Sequence, residues 1–171
     1  LLMLLLNVPG YSTIRYVKAG NPTPSYPYTT WATASDSIQK VVDICLSGDT
    51  ILIGTGVYPQ IVNSEHYGRG LTILGVDIDS CIIDVSGFPL EPLLKVFRFT
   101  DDLTIKNLTF KTRLGTTEHI AIYTFGPTFG YNIVNITNVN FIGMFREAVA
   151  LLKTSGSIQN SYFYASTMAI G

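Results

Sequence analysis

Two charged pairs could supply acid–base chemistry, because each stands directly before an apolar run. Glu118 and His119 precede one run, and Arg146 and Glu147 precede a later one. If the two runs formed neighbouring strands, the pairs would lie about 5 Å apart. A carboxylate, an imidazole and a guanidinium would then share a patch suited to proton transfer or to binding a sugar acid. The more ordinary alternative is a rim of solvated charges, so these four residues are candidates for substrate binding and no catalytic residue is assigned.

Aromatic side chains form a second candidate surface. The segment 125–131 holds three aromatic residues together with two glycines and a proline. Aromatic rings at the rim of a groove can pack against the apolar face of a sugar ring. Phe129 and Tyr131 are therefore further candidates for substrate binding. The alternative is that Phe125 and Phe129 pack down onto the strands beneath them.

Acidic residues are too sparse to indicate a metal site. Asp101 and Asp102 form the only adjacent acidic pair, and Asp77, Asp79 and Asp84 lie near a turn. Aspartate is typical of turns, which explains these positions without a ligand. Because Ca²⁺ needs six or more oxygen ligands, we expect no metal or cofactor here. Calcium would be expected only if further repeats beyond this sequence supplied an acidic cluster.

The composition limits the classes of protein. The 171 residues suffice for one domain, and mean hydropathy is +0.32. Charged residues make up 13%, against about 25% in an average domain. A net charge of −1 gives no basic surplus for nucleic-acid phosphates. No apolar run approaches the 18 residues or so of a membrane span. The composition is common in exported proteins that face carbohydrates, so we expect an extracellular or cell-surface location.

The chain divides into an N-terminal segment, 1–34, and a repetitive part, 35–171. Residues 1–6 are apolar and could be the end of a signal peptide, or alternatively a short first strand. Proline-rich residues 10–34 favour a loop over any regular element. Cys45 and Cys81 match no zinc or redox motif. They could form one disulfide, although two buried thiols are favoured.

Residues 35–46 form the one convincing helix pattern, with Ser35 or Asp36 as N-cap and Gly48 just beyond its end. Apolar residues from Ile38 to Leu46 recur at helical spacing and predict one buried stripe. Short β-type runs separated by turns follow. They lie at 50–53, 71–74, 81–84, 94–99, 103–105, 120–123, 133–136 and 148–152.

A repeated motif points to a solenoid. The pattern I-x-N-x-x-F occurs around Asn107, Asn138 and Asn160, and Gly75 takes the place of asparagine in a weaker copy. Asparagine and glycine both tolerate the left-handed backbone region, which a bend between two strands would need. We name these four positions the bend ladder. Their irregular spacing of 22 to 32 residues predicts constant coils with loops of variable length.

Several segments resemble right-handed parallel β-helix proteins of the pectin-lyase-like superfamily. They are 31–43 (WATASDSIQKVVD), 47–58 (SGDTILIGTGVY), 71–84 and 103–110, and the resemblance extends over most of 31–171. It implies an all-β, right-handed, single-stranded parallel β-helix with an N-terminal capping helix. The sequence gives no cap for the C-terminal end, so we expect a fragment truncated there.

The resemblance does not imply one activity, because the superfamily includes lyases, hydrolases, esterases, phage tail proteins and adhesin-like proteins. The favoured expectation is an exported or surface protein that binds a polysaccharide or glycan, or acts as an adhesin, without catalysis in this fragment. One alternative is the N-terminal part of a polysaccharide lyase or glycoside hydrolase whose active coils lie beyond Gly171. A purely structural spacer is another.

Overall fold

The computed structural model describes residues 12–64, 70–89, 94–115, 119–127 and 130–164, and the backbone of 168–170. The candidate signal segment 1–6, Glu118 and Phe129 lie outside these residues. The described part contains a short helix, α1 (Ile38–Val42), and a series of short strands. The strands are β1 (Ile14–Val17), β2 (Thr50–Ile53), β3 (Gly56–Tyr58), β4 (Val62–Ser64), β5 (Gly70–Gly75), β6 (Cys81–Asp84), β7 (Leu94–Phe99), β8 (Asp102–Lys111), β9 (His119–Phe125), β10 (Asn132–Ile142), β11 (Glu147–Leu152), β12 (Thr154–Gln159), β13 (Tyr162–Tyr164) and β14 (Met168–Ile170).

The strands form two parallel sheets, which confirms the all-β class. In the larger sheet the order is β1-β2-β5-β8-β10-β12, and β3, β6 and β13 join it alongside. In the smaller sheet the order is β14-β11-β9-β7-β4. Parallel neighbours require a crossover connection, so each strand pairs with one that is distant in sequence. Burial alternates along β5 and through much of β10, as expected for strands with one face in the core.

Equivalent residues of the repeated motif stack in the core. The register pairs Ile73 with Ile105 and Ile105 with Ile136, and all three are fully buried. Further along the same strands, the rings of Phe110 and Phe141 lie parallel with centroids 5.6 Å apart. The apolar residues on either side of the bend therefore form two internal rows.

The four residues of the bend ladder do not share one backbone conformation. Asn107, Asn138 and Asn160 have φ of 55°, 55° and 49°, in the left-handed region. The Nδ2 of Asn138 donates to the Oδ1 of Asn107 at 2.9 Å, and the Nδ2 of Asn107 donates to the Gly75 carbonyl at 3.4 Å. Gly75 itself is not left-handed. Glycine is required there because a Cβ would overlap the carbonyl oxygen of Asn107.

The helix is shorter than the sequence pattern predicts. Ser37, not Ser35 or Asp36, is the N-cap, since its side chain accepts from the Lys40 backbone N–H. Ile38 and Val41 are buried as expected, but Leu46 is 67% exposed. Leu46 lies beyond the end of the helix at Val42, and its backbone N–H donates to the Asp49 carboxylate at 2.9 Å.

The N-terminal loop also contains a strand that the sequence analysis missed. β1 lies within residues 10–34 and pairs in parallel with β2. A buried ion pair holds it there: the Arg15 Nε lies 3.2 Å from an Asp49 carboxylate oxygen. The other oxygen of Asp49 accepts from the Thr13 backbone N–H at 2.8 Å. The expectation of a loop throughout this region was therefore wrong, because the prolines all follow β1.

Candidate functional site

The predicted charged patch is not assembled around His119. β9 and β11 are adjacent, and the Arg146 backbone N–H donates to the His119 carbonyl at 2.9 Å. The His119 side chain is buried, however, and its Nε2 lies 3.1 Å from the Pro89 carbonyl. Because a carbonyl can only accept, Nε2 donates to it, and the Nδ1 lies 3.0 Å from the Thr112 hydroxyl oxygen. The described contacts of the His119 imidazole are therefore with protein groups, and they hold the loop at Pro89 in place.

The other predicted residues remain separate. The Arg146 side chain is half-exposed, and its Nε lies 4.0 Å from a Glu147 carboxylate oxygen, a long contact between neighbours. Tyr131 is 73% exposed. Phe125 belongs to the same aromatic segment, and the Lys153 Nζ lies 5.8 Å from the centroid of its ring. These side chains offer surface charge and aromatic area but no enclosed site.

Cys45, Cys81 and Asp101 are buried inside the protein. Cys45 and Cys81 are both buried and form no disulfide, which confirms the buried-thiol interpretation. Asp101 is buried and accepts from the Ser64 hydroxyl at 3.1 Å. Among the described residues, no group of three or more His, Cys, Asp or Glu side chains could hold a metal ion. In the same part of the chain, no helix has the length and apolar character needed to cross a membrane.

The side chain of Asp84 lies in a small polar cluster. Burial acts to raise the pKa of Asp84, but hydrogen bonds from Ser86 and Lys111 outweigh it, and the pKa is lowered. The Ser86 backbone N–H donates to one carboxylate oxygen at 2.9 Å, and the Lys111 Nζ lies 3.2 Å from the other. Each of these groups has a partner within the protein, so the cluster stabilises a turn.

A depression that the sequence analysis did not indicate lies where the first strands of the larger sheet end. This Trp31 pocket has a volume of about 290 Å³ and is lined by Lys18, Trp31, Gly54, Thr55 and Val76. Three of these residues directly follow β1, β2 and β5, whose last residues are in register. The parallel pairing therefore places residues from three distant segments next to one another.

Trp31 is fixed in the pocket by its neighbours. Its ring meets the Tyr16 ring edge-on, with centroids 4.8 Å apart. On the other side it lies against Gly54, where an added Cβ would approach the indole to 2.9 Å. Trp31 is nevertheless 40% exposed. Part of a rigidly held indole therefore remains available to a ligand.

Tyr58 links two backbone segments next to the Trp31 pocket. Its hydroxyl donates to the Gly54 carbonyl at 2.7 Å and accepts from the Ala19 backbone N–H at 3.1 Å. Burial raises the pKa of Tyr58 to about 12, although the hydrogen bond from Ala19 acts in the opposite direction. The neutral phenol thus connects the bend after β1 to the bend after β2.

A second depression crosses the middle of the larger sheet. This threonine groove has a volume of about 240 Å³. Thr72, Thr104 and Asn135 occupy equivalent positions on β5, β8 and β10 and form a polar row. Its lining residues are Gly70, Leu71, Thr72, Asp102, Leu103, Thr104, Ile133 and Asn135.

Comparisons with protein-family models, with curated proteins and with solved structures found no match for this chain. The two depressions offer groups that can bind a ligand. The Trp31 pocket combines an aromatic face, an ammonium and a hydroxyl. The threonine groove presents hydroxyls and an amide. A sequence signal for the pocket existed in the single tryptophan of the chain, which stands in a polar loop. Its partners could not be identified, because they follow three different strands.

Proposed function

We propose that the chain is a right-handed parallel β-helix of the pectin-lyase-like superfamily. Three observations support this fold. The strand pairs are parallel, the motif repeats keep one register from strand to strand, and Asn107, Asn138 and Asn160 share a left-handed bend. Strands that stack like residues in this way bury their apolar faces without many charged residues, in agreement with the composition.

Its function, in this proposal, is to bind carbohydrate at the cell surface or outside the cell, without catalysis by this part of the chain. The observation that carries the proposal is the Trp31 pocket. An exposed indole offers an apolar face to the C–H groups of a sugar ring, and packing there removes apolar area from water. The Lys18 ammonium and the Thr55 hydroxyl can donate hydrogen bonds to sugar oxygens at the rim. The pocket volume of about 290 Å³ lies just below the range for small-ligand sites, about 300–1,000 Å³, so the pocket suits a single sugar unit.

The test is to find a ligand on an array of plant, fungal and bacterial glycans and to measure its affinity by calorimetry. Trp31→Ala should weaken binding about tenfold or more, which corresponds to about 1.4 kcal/mol. Trp31→Phe should restore part of the affinity because an aromatic face is retained. Circular dichroism of each variant checks that the fold is kept.

Tyr131→Ala is the comparison variant, since Tyr131 is exposed and aromatic but lies outside the pocket. We expect it to bind as the unaltered protein does. If Tyr131→Ala lost binding while Trp31→Ala kept it, the site would belong to the 125–131 segment. If the array showed no ligand at all, the proposed function would be wrong.

A further inference from the structure

We propose that the threonine groove and the Trp31 pocket are the two ends of one binding path for a neutral oligosaccharide. This inference rests on the proposed function and adds the size and charge of the ligand. The two depressions share strand β5, since Thr72 lies in the groove and Val76, one residue beyond the strand, lines the pocket.

The distance between the two sites requires an extended ligand. Thr72 and Val76 are four residues apart along the chain, or roughly 13 Å at the strand rise of about 3.3 Å per residue. A pyranose unit, built from bonds of about 1.5 Å, spans only roughly 5 Å between its two linking oxygens. A single sugar can therefore occupy one depression, whereas an oligosaccharide of several units can reach both.

The surface between the two sites suits a sugar chain. Leu74 lies on β5 between Thr72 and Val76, and its side chain is half-buried on the outer face of the strand. Its register partner on β2 is Leu52, which is also half-buried. Together they form a small apolar surface on which the C–H faces of sugar rings can pack.

The groove carries unused hydrogen-bonding groups. Within the described residues, the hydroxyls of Thr72 and Thr104 contact no other polar protein group, while the Asn135 Oδ1 accepts from the Ser157 hydroxyl at 3.0 Å. That contact orients the amide and leaves its two N–H donors for a ligand. Hydroxyls that both donate and accept, beside an amide that donates, match the hydroxyl groups of a sugar.

The charge in the groove selects against acidic sugars. Asp102 is exposed at its edge, and one of its carboxylate oxygens accepts from the Ile133 backbone N–H at 2.7 Å. The negative charge of Asp102 would repel the carboxylate of a uronic acid. The Lys18 ammonium would attract such a carboxylate at the pocket end. Only a neutral chain avoids the repulsion in the groove, so we assign the path to neutral oligosaccharides.

The test measures how affinity depends on ligand length. The probes are cello-, manno- and xylo-oligosaccharides of two to six units, with hexagalacturonate as the acidic comparison. In at least one neutral series we expect the hexasaccharide to bind at least tenfold more tightly than the disaccharide, because the second site adds contacts within one complex. Hexagalacturonate should bind more weakly than that neutral hexasaccharide.

Two variants separate the groove from the pocket. Thr72→Val with Thr104→Val removes both hydroxyls but keeps β-branched side chains that favour strands. This double variant should abolish the increase in affinity with ligand length and leave the affinity for the disaccharide unchanged. Thr137→Val is the matched control, because Thr137 lies half-buried on β10 outside the groove, and it should retain the gain.

The outcomes distinguish this inference from the proposed function. Disaccharide binding that depends on Trp31 but does not increase with length would overturn the shared path and leave the proposed function standing. The shared path would also be overturned if the Thr137→Val control lost the increase in affinity with ligand length. Equal affinity for hexagalacturonate and the neutral hexasaccharide would overturn it as well. If no probe of any length bound, the shared path for these neutral chains would be overturned, whereas the proposed function would fail only if the glycan array also showed no ligand.

Discussion

The bend ladder predicts that Asn138→Val destabilises the protein by an amount that can be divided between two causes. Asn138 has φ of 55°, and a β-branched residue in the left-handed region costs roughly 1–2 kcal/mol. The variant also loses the hydrogen bond from the Asn138 Nδ2 to the Asn107 Oδ1, worth roughly 0.5–1.5 kcal/mol. We therefore expect the free energy of unfolding to fall by about 1.5–3.5 kcal/mol.

The assay is urea unfolding followed by circular dichroism, with Asn138→Gly as the matched variant. Glycine also lacks the amide but adopts positive φ at no steric cost. Asn138→Gly should therefore lose only the contribution of the side chain. The difference between the two variants measures the backbone strain, and we expect valine to be worse by about 1–2 kcal/mol. If the two variants unfolded at the same urea concentration, the left-handed bend would not be the reason for asparagine at this position.

Three further predictions concern stability. Gly75→Ala should destabilise the fold by about 1–3 kcal/mol, because a Cβ there overlaps the carbonyl oxygen of the facing bend, whereas Gly87→Ala has open space and should be tolerated. For Tyr58, the unfolded chain loses the phenol proton near pH 10 and the folded chain near 12, so stability should decline over that interval. For Asp84, whose pKa is lowered from 3.8, the stabilisation is present above that pH and should be lost as the pH falls through the folded value.

Each of these predictions has a simple check. Thermal unfolding of the two glycine variants gives the first result, and equal melting temperatures would contradict it. Tyr58→Phe should flatten the alkaline decline in chemical unfolding, and an unchanged slope would show that Tyr58 does not cause it. The stability difference between the unaltered protein and Asp84→Asn should shrink toward pH 3, and a constant difference would argue against the lowered pKa.

Local pattern was enough to predict much of the β structure. The strands β2, β6 and β7 have the predicted bounds, because each is a short apolar run between turn residues. β12 was not among the predicted β-type runs, since it contains two serines and Gly156, which favour a loop, although the motif at Asn160 implies a strand that ends near Ile158. It is a strand because β10 offers it a partner, and Gly156 allows the close approach: a Cβ there would overlap the Val134 carbonyl oxygen.

Side-chain direction and burial limited what could be predicted about the site. The adjacency of β9 and β11 follows from the repeat. The burial of His119, however, depends on its contacts with Thr112 and Pro89, which form only when the chain folds. The Asp49 carboxylate similarly accepts hydrogen bonds from the backbone N–H groups of Thr13 and Leu46. Such contacts carry no periodic signal in the sequence.

The sequence by itself determined the alternation of apolar residues, the recurring bend and the rows of isoleucine and phenylalanine, because these depend on residues within one repeat. The tertiary structure decided where a ligand could bind. Lys18, Trp31, Gly54 and Val76 become neighbours only when parallel pairing brings the ends of β1, β2 and β5 into one row. The physical reason is that a parallel register joins segments tens of residues apart, and the loops between them have no fixed length.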